Sequence, residues 1–333
     1  MTRYPTALIG FGRIAAGYAD DPSTARCHAY ATHAQVLRDH PEFNWVAVVD
    51  PSAEARATAS SRWGVPVTAP SLDELQDAAA IEVAVIATPP EARAGLLDCL
   101  PSLRAVLVEK PLGVDLAAAN AFVEECSRRG IVGAVNFPRR YDPELIRLAN
   151  GGLAESIGQP QAIFGTYGNG LRNNGSHLID LVSMLLWSPV GAHVVPDGRC
   201  FAEGPIAEDL NFPFDLILRD GLIAAIQPLA FSAYREVSLD IWGESGRMQF
   251  LHEGLTLLAT PVADNRQLTG ARELLHEASV QSLSGLGKAL YLAYDNLAAA
   301  LRGDATLLCP LENGLSTMRV IEGLMASRKK KVA

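Results

Sequence analysis

Three short stretches of the chain carry residue types and spacings that could do redox chemistry. The first is Gly10-Phe11-Gly12-Arg13-Ile14-Ala15, directly after the apolar run Thr6–Ile9. Gly10 permits a tight turn, Gly12 has no Cβ and lets a pyrophosphate approach the backbone, and small Ala15 lets a following helix pack on the strand. The second is Val108-Glu109-Lys110-Pro111-Leu112-Gly113. A Glu-Lys pair closing a buried strand is costly unless its charges are used. A lysine there would either reach the reactive end of a bound dinucleotide, aimed by a cis bond to Pro111, or stand as a salt-bridged surface residue. The third is Arg172-Asn173-Asn174-Gly175-Ser176-His177, a Gly-Ser turn leading into the apolar run Leu178–Val182. His177 either handles a proton or starts a core helix.

The elements that must hold these residues are legible as apolar runs. Residues 6–12, 45–50, 82–90, 105–110 and 131–137 are rich in Val and Ile and apolar throughout, the pattern of strands covered on both faces. Helical stretches are expected between them at 52–64, 71–79, 91–100 and 115–130, with Ser52, Ser71 and Asp115 as capping residues and Gly130 as a stop. Alternation of this kind predicts a doubly wound parallel sheet, an α/β Rossmann domain over residues 1–137. Asp50 ends the second strand and is placed to accept hydrogen bonds from a ribose 2′-OH. A 2′-phosphate would be repelled there, which favours NAD, with NADP the second choice and Arg13 its one local support.

The spacing from the glycines to Asp50 is much longer than the usual interval of about 20 residues. The surplus falls in residues 18–31, where Asp21-Pro22-Ser23 is expected to break the first helix. This inserted loop carries Arg26, His28 and Tyr30 and is either a substrate-contacting lid beside the cofactor or a plain surface loop.

After a helical linker at 142–152 the pattern changes. Residues 213–231 read as two strands around Asp220-Gly221, and residues 235–260 as three more, broken at Gly243–Gly246 and Glu253-Gly254. Val237, Leu239 and Ile241 point to one face, Ser238, Asp240 and Trp242 to the other. Residues 138–333 are therefore expected to form an α+β domain with a large, mostly antiparallel sheet and a last helix at about 311–328. The basic run Arg328–Lys331 reads as a solvated, frayed tail.

Bulk composition narrows the function. The chain has 333 residues, 49% hydrophobic and 20% charged, enough for two cored domains. Its net charge of −9 makes nucleic acid a poor partner. Five scattered cysteines form no CxxC and no metal spacing with His, so no metal site is expected and the thiols suit a reducing compartment. Without a long apolar segment, the expectation is a cytoplasmic protein with no membrane partner.

Taken in order, Gly10–Ala15, Asp50, Ala87-Thr88-Pro89-Pro90, Glu109-Lys110-Pro111 and Gly168–Asp180 resemble the Gfo/Idh/MocA family, nicotinamide-dependent oxidoreductases of sugars and polyols. The closing segment from Asp295 also looks like the family's usual ending, so the resemblance spans nearly the whole chain. It implies NAD or NADP held by Gly10, Phe11, Gly12, Arg13, Ile14, Asp50, Thr88, Pro89 and Glu109, with Lys110 and His177 near the reacting carbon. Asn173, Asn174, Arg139 and Arg172 would hold the hydroxyls or a phosphate of the substrate. An open face of the C-terminal sheet commonly makes the family's subunit contact, which implies a homodimer or homotetramer.

Two positions depart from the family's pattern. Asn173 stands where many members carry Asp, and a neutral amide cannot support a neighbouring imidazolium by charge. Arg93 stands in the stretch after the Thr-Pro motif where many carry His. Asp180, one helical turn beyond His177, either holds the imidazole from behind or bonds backbone inside the helix. The implied activity is hydride transfer between NAD(P) and a carbinol or keto carbon of a sugar, inositol or nucleotide-sugar, with Lys110 as electrophile and His177 as acid/base. The competing functions are a non-catalytic NAD-binding regulator and an NAD-dependent glycosidase on the same fold.

Overall fold

The five apolar runs of the first half form strands of one parallel sheet in the computed structural model, which describes residues 3–206 and 208–332. The strands are β1 (Tyr4–Ile9), β2 (Phe43–Val49), β3 (Val67–Ala69), β4 (Val83–Ile86), β5 (Ala105–Val108) and β6 (Val132–Val135). Their order is β3-β2-β1-β4-β5-β6, the doubly wound order with its switch point beside β1. Leu8, Val48, Val83, Val85 and Leu107 are fully buried, as strands covered on both faces require. Three residues suffice for β3, which the sequence patterns did not reveal.

Helices α1 (Pro22–Cys27), α2 (His33–Asp39), α3 (Ala53–Trp63) and α4 (Leu116–Arg128) connect these strands. Ser52 caps α3 through the Ala55 N–H at 3.3 Å, and Asp115 caps α4 through the Ala118 N–H at 2.8 Å. The helices expected at 71–79 and 91–100 are absent. The first is a run of turns closing in a short 3-10 helix, Ala78–Ala80, and the second is two 3-10 turns, Pro90–Ala92 and Leu96–Cys99. Left-handed Asp77 interrupts the first and left-handed Gly95 the second, and a segment of two turns has no hydrogen-bonded length to offset that.

The second half builds a nine-stranded sheet from β7 (Pro160–Tyr167), β8 (Gly191–Val194), β11 (Phe214–Ile217), β12 (Ile223–Pro228), β13 (Ser238–Gly243), β14 (Gly246–Leu251), β15 (Thr256–Asp264), β16 (Arg272–Leu274) and β17 (Val280–Leu283). The hairpins β11–β12 and β13–β14–β15 follow the turns read from the sequence. All pairings are antiparallel except β7 with β12. A separate two-stranded ribbon pairs β9 (Phe201–Ala202) with β10 (Leu210–Asn211). On β13, Leu239 and Ile241 are fully buried while Asp240 and Trp242 lie on the other face. The linker at 142–152 is α5 (Pro143–Arg147) followed by a π stretch kinked at left-handed Gly151, and then α6 (Leu153–Ile157). The buried face of the sheet is covered by α7 (Ser176–Leu186) through Leu178, Leu181, Val182 and Leu185.

Two further helices close the chain, α8 (Ala289–Arg302) and α9 (Leu311–Val332). The backbone of α9 remains helical past residue 328, where a frayed tail was expected; the side chains of Lys329–Lys331 lie outside the described residues. Contacts divide the chain into two compact units, Met1–Tyr141 with Gly287–Leu315, and Asp142–Leu286 with Ser316–Ala333. α8 thus belongs to the first unit, where Tyr294 and Leu297 join the core beside α2. Among the described residues no helix is long and apolar enough to cross a membrane.

Candidate active site

Four strands of the first unit deliver the sequence-predicted cofactor residues to one edge of the sheet. Gly10 follows β1, Asp50 follows β2, Thr88 and Pro89 follow β4, and Glu109 and Lys110 follow β5. Gly10 has φ +86°, and a Cβ there would stand 2.8 Å from the Ala87 carbonyl carbon and the Thr88 nitrogen. No other residue type fits. A Cβ on Gly12 would meet nothing within 4 Å, so the turn is open on the side where a phosphate would approach. Asp50 accepts the Phe11 N–H at 2.7 Å on one oxygen and the Ser52 N–H at 2.8 Å on the other. A carboxylate has about four lone-pair sites, so acceptor capacity remains for a ribose hydroxyl. The Thr88 hydroxyl oxygen is buried with no hydrogen-bond partner among the described residues. These features fit a bound dinucleotide.

The helix expected after the glycines is not continuous. One turn is wound from Gly12, with the Ala16 N–H on the Gly12 carbonyl at 3.0 Å, and the chain then leaves as a 3-10 turn at Gly17–Asp20. It returns at α2, where His33 and Ala34 donate their N–H groups to the carbonyls of Ile14 and Ala15 at 3.2 and 2.8 Å. Residues 17–31 are therefore an excursion out of a helix that resumes sixteen positions later, which accounts for the long interval to Asp50. The break falls at Gly17, not at Pro22. Pro22 instead opens α1, with Asp21 as its N-cap. The excursion is tied back by the Asp20–Arg62 ion pair and by the Ala29 N–H on the Gly287 carbonyl at 2.9 Å.

Lys110 is half-buried, and its peptide bond to Pro111 is cis, as the sequence suggested. Glu109 before it accepts the Asn136 amide N–H at 2.6 Å and faces His33 Nε2 at 3.1 Å. His33 Nδ1 in turn faces the Tyr294 hydroxyl at 2.9 Å. Burial alone would raise the Glu109 carboxyl. The His33 bond and charge, the Asn136 amide and the Lys110 ammonium outweigh it and hold Glu109 below its ordinary range, as a carboxylate. Arg93 is 5% exposed and donates to the carbonyls of Thr88, at 2.6 Å, and Pro111. Burial lowers its guanidinium to about 10, with Glu109 and Glu91 opposing the shift. Arg139 is buried on the 3-10 turn Pro138–Tyr141 that follows β6.

The second unit carries the remaining predicted residues on one helical segment. The expected Gly-Ser turn is not a turn. Helix begins at Leu171 as a π turn, Leu171–Gly175, and runs on into α7 with His177 in its first turn. The reason lies far off in sequence: Asp209 accepts the N–H groups of Arg172 at 2.9 Å and Asn173 at 3.0 Å, so the donors at the helix start are satisfied by a distant cap. The flanking residues pin the same stretch, with the Gly170 N–H on the Asn211 amide oxygen at 2.8 Å and the Tyr167 hydroxyl on the Phe212 carbonyl at 2.8 Å. Gly170 has φ +96°, and a Cβ there would overlap the Asp209 carboxylate. The Asn173 amide donates to the Asn169 carbonyl at 3.1 Å, and Arg172 donates to Glu322 at 2.7 Å. Asn174 Nδ2 is buried with no hydrogen-bond partner among the described residues. Asp180 is buried on α7, 1% exposed. Sequence reading missed Asp209, His33, Asn136 and Tyr294, each of which acts across a long sequence separation. Among the described residues no group of three His, Cys, Asp or Glu side chains is placed to hold a metal ion.

A glycine turn opening on a doubly wound sheet, with Asp50 at the next strand end, defines a dinucleotide-binding Rossmann protein. Residues 6–137 match the Gfo/Idh/MocA family model, described as an oxidoreductase family with an NAD-binding Rossmann fold. An inositol 2-dehydrogenase from Rubrobacter xylanophilus is 26% identical over 338 residues, covering 95% of this chain and 91% of that protein. Two solved structures share the fold. A levoglucosan dehydrogenase in complex with NADH and levoglucosan has a TM-score of 0.74 at 18% identity, covering 99% of this chain and 98% of the other. The super-repressor mutant of Gal80p from Saccharomyces cerevisiae has a TM-score of 0.74 at 14% identity, covering 99% and 97%.

Proposed function

We propose that this chain is an NAD-dependent dehydrogenase or reductase of a polyhydroxylated small molecule, a sugar, inositol or nucleotide-sugar, acting on one carbinol or keto carbon. The observation that carries this reading is the gathering of the open Gly12 turn, Asp50, Thr88 and Lys110 on one edge of a parallel sheet. Near full-length similarity to an inositol dehydrogenase supports the substrate class.

The nicotinamide supplies the hydride acceptor or donor when bound. Asp50 orients the adenosine ribose and disfavours a 2′-phosphate by charge, the basis for NAD over NADP. Phe11, Arg13, Ile14, Pro89 and Glu109 complete the cofactor contacts. His177 takes the hydroxyl proton in oxidation and returns it in reduction. Lys110 orients the carbinol oxygen and polarises it when it is a ketone. Asn173, Asn174, Arg139 and Arg172 hold the other substrate oxygens; Asn174 Nδ2, buried without a hydrogen-bond partner among the described residues, supports its share of this role. Assembly into a homodimer or homotetramer uses the outer face of the nine-stranded sheet, where Phe164 on central β7 is 52% exposed.

The test is a panel of sugars, inositols and nucleotide-sugars offered with NAD⁺ or NADP⁺ while absorbance of the reduced cofactor is followed. Turnover of a panel member with NAD⁺, abolished in Lys110→Ala, supports the reading. NADH binding without turnover of any member would favour a regulator. Release of an aryl leaving group under catalytic NAD would favour a glycosidase.

A further inference from the structure

Lys110 lies between two groups that are each gripped from outside its own segment. On one side is the Glu109 carboxylate, held by His33 and Asn136, with His33 seated by Tyr294. His33 is 1% exposed and Tyr294 is fully buried. On the other side is the Pro111 carbonyl, held by Arg93, whose second terminal nitrogen grips the Thr88 carbonyl at 2.6 Å. We infer that His33 and Arg93 are positioning residues for Lys110, a buried brace that fixes the lysine from both flanks and ties the strand ends of β4 and β5 together. The inference rests on the reading of Lys110 as the electrophile of the proposed reaction.

The energetics argue against a purely structural role for Arg93. Desolvating a guanidinium costs several kcal/mol, and apolar replacement of buried charge is often neutral or stabilising. Arg93 donates to two carbonyls, where a carboxylate fork would offset its charge, and its Nε has no hydrogen-bond partner among the described residues. Rigid placement of the neighbouring lysine is what the arrangement gains. Misplacement of a reacting group by about 1 Å can lower a rate about a hundredfold.

The chain offers a direct readout. Lys110 and Lys288 are its two lysines outside the C-terminal run, so Lys288 serves as an internal reference. Competitive acetylation with acetic anhydride across pH, quantified by mass spectrometry, reports the reactivity and titration of Lys110 in the whole protein without a substrate. In His33→Phe and Arg93→Met, the Lys110/Lys288 labelling ratio is expected to change by about threefold or more, equivalent to half a pKa unit. Arg93→Lys and His33→Gln should recover part of the native ratio. With a substrate from the panel, kcat should fall about tenfold or more while KM changes little. Unchanged Lys110 labelling in both folded variants overturns the brace. If either variant fails to fold, Tyr294→Phe and Arg93→Gln give the same readout. A Lys110→Ala enzyme with normal kcat would instead overturn the catalytic reading, whatever the labelling shows.

Discussion

The Asp50 carboxylate accepts the backbone N–H of Phe11 at 2.7 Å across 39 residues of sequence. The residue expected to recognise the ribose thus also holds the glycine turn in place. Replacing it alters two things at once, and cofactor preference is not separable from turn geometry at this position. Asp50→Ala should weaken NADH binding by at least about tenfold, since a hydrogen bond to a charged group contributes about 1.5–3 kcal/mol. It should not by itself create NADPH preference. Titration of NADH and NADPH fluorescence in the variant checks both; tight NADPH binding by Asp50→Ala would contradict the double role.

The start of the helix that carries His177 depends on Asp209. Asp209→Ala should lower unfolding free energy by about 1–2 kcal/mol, the usual cost of a lost cap. Asp209→Asn should recover only part of that loss, because its single amide oxygen can accept one of the two N–H groups that Asp209 takes on separate oxygens. Burial raises the Asp209 carboxyl despite the bonds from Arg172 and Asn173. A raised folded pKa means that its contribution is full below the unfolded value and declines as pH rises through the folded one. Asp209→Asn should remove that decline, which urea denaturation at several pH values would measure.

Gly170 meets two constraints at once, a left-handed φ and the Asp209 carboxylate where a Cβ would stand. Gly170→Ala should cost about 3 kcal/mol, from strain of 1–3 kcal/mol and displacement of Asp209. The same change at Gly12, which is open, should leave the melting temperature near native and weaken NADH binding. Thermal melts beside binding titrations separate the two.

His40 sits buried against Phe43 and Tyr291, with Nε2 at 3.1 Å from Asp295. Burial lowers its pKa, opposed by the charges of Asp295 and Glu42. The folded protein therefore resists protonation here. The contribution is present above the unfolded imidazole value of about 6.5 and is lost as pH falls below it. His40→Gln should flatten the loss of melting temperature as pH falls below about 6.5.

Phe164 occupies the open face of the large sheet. If copies meet there, Phe164→Glu should shift the protein to a smaller species in analytical ultracentrifugation while NADH binding persists. An unchanged sedimentation profile would place the subunit contact elsewhere.

The sequence by itself determined five of the six parallel strands of the first unit, because strands buried on both faces need unbroken apolar runs. It determined the hairpins of the second, because left-handed Asp220 and Glu253 beside glycines mark the turns. It also determined the glycine turn and the place of Asp50, which are local demands on backbone and spacing. Only the tertiary structure decided that the segments at 71–79 and 91–100 form no regular helix, that the first helix breaks at Gly17 and resumes at His33, and that residues 287–315 complete the first unit. It alone revealed Asp209 under the His177 helix and His33 and Arg93 around Lys110. The physical reason is range. Period, turn and cap are written within a few residues, whereas a buried polar group is satisfied by whichever partner the fold brings near, and His33 meets Tyr294 across 261 positions.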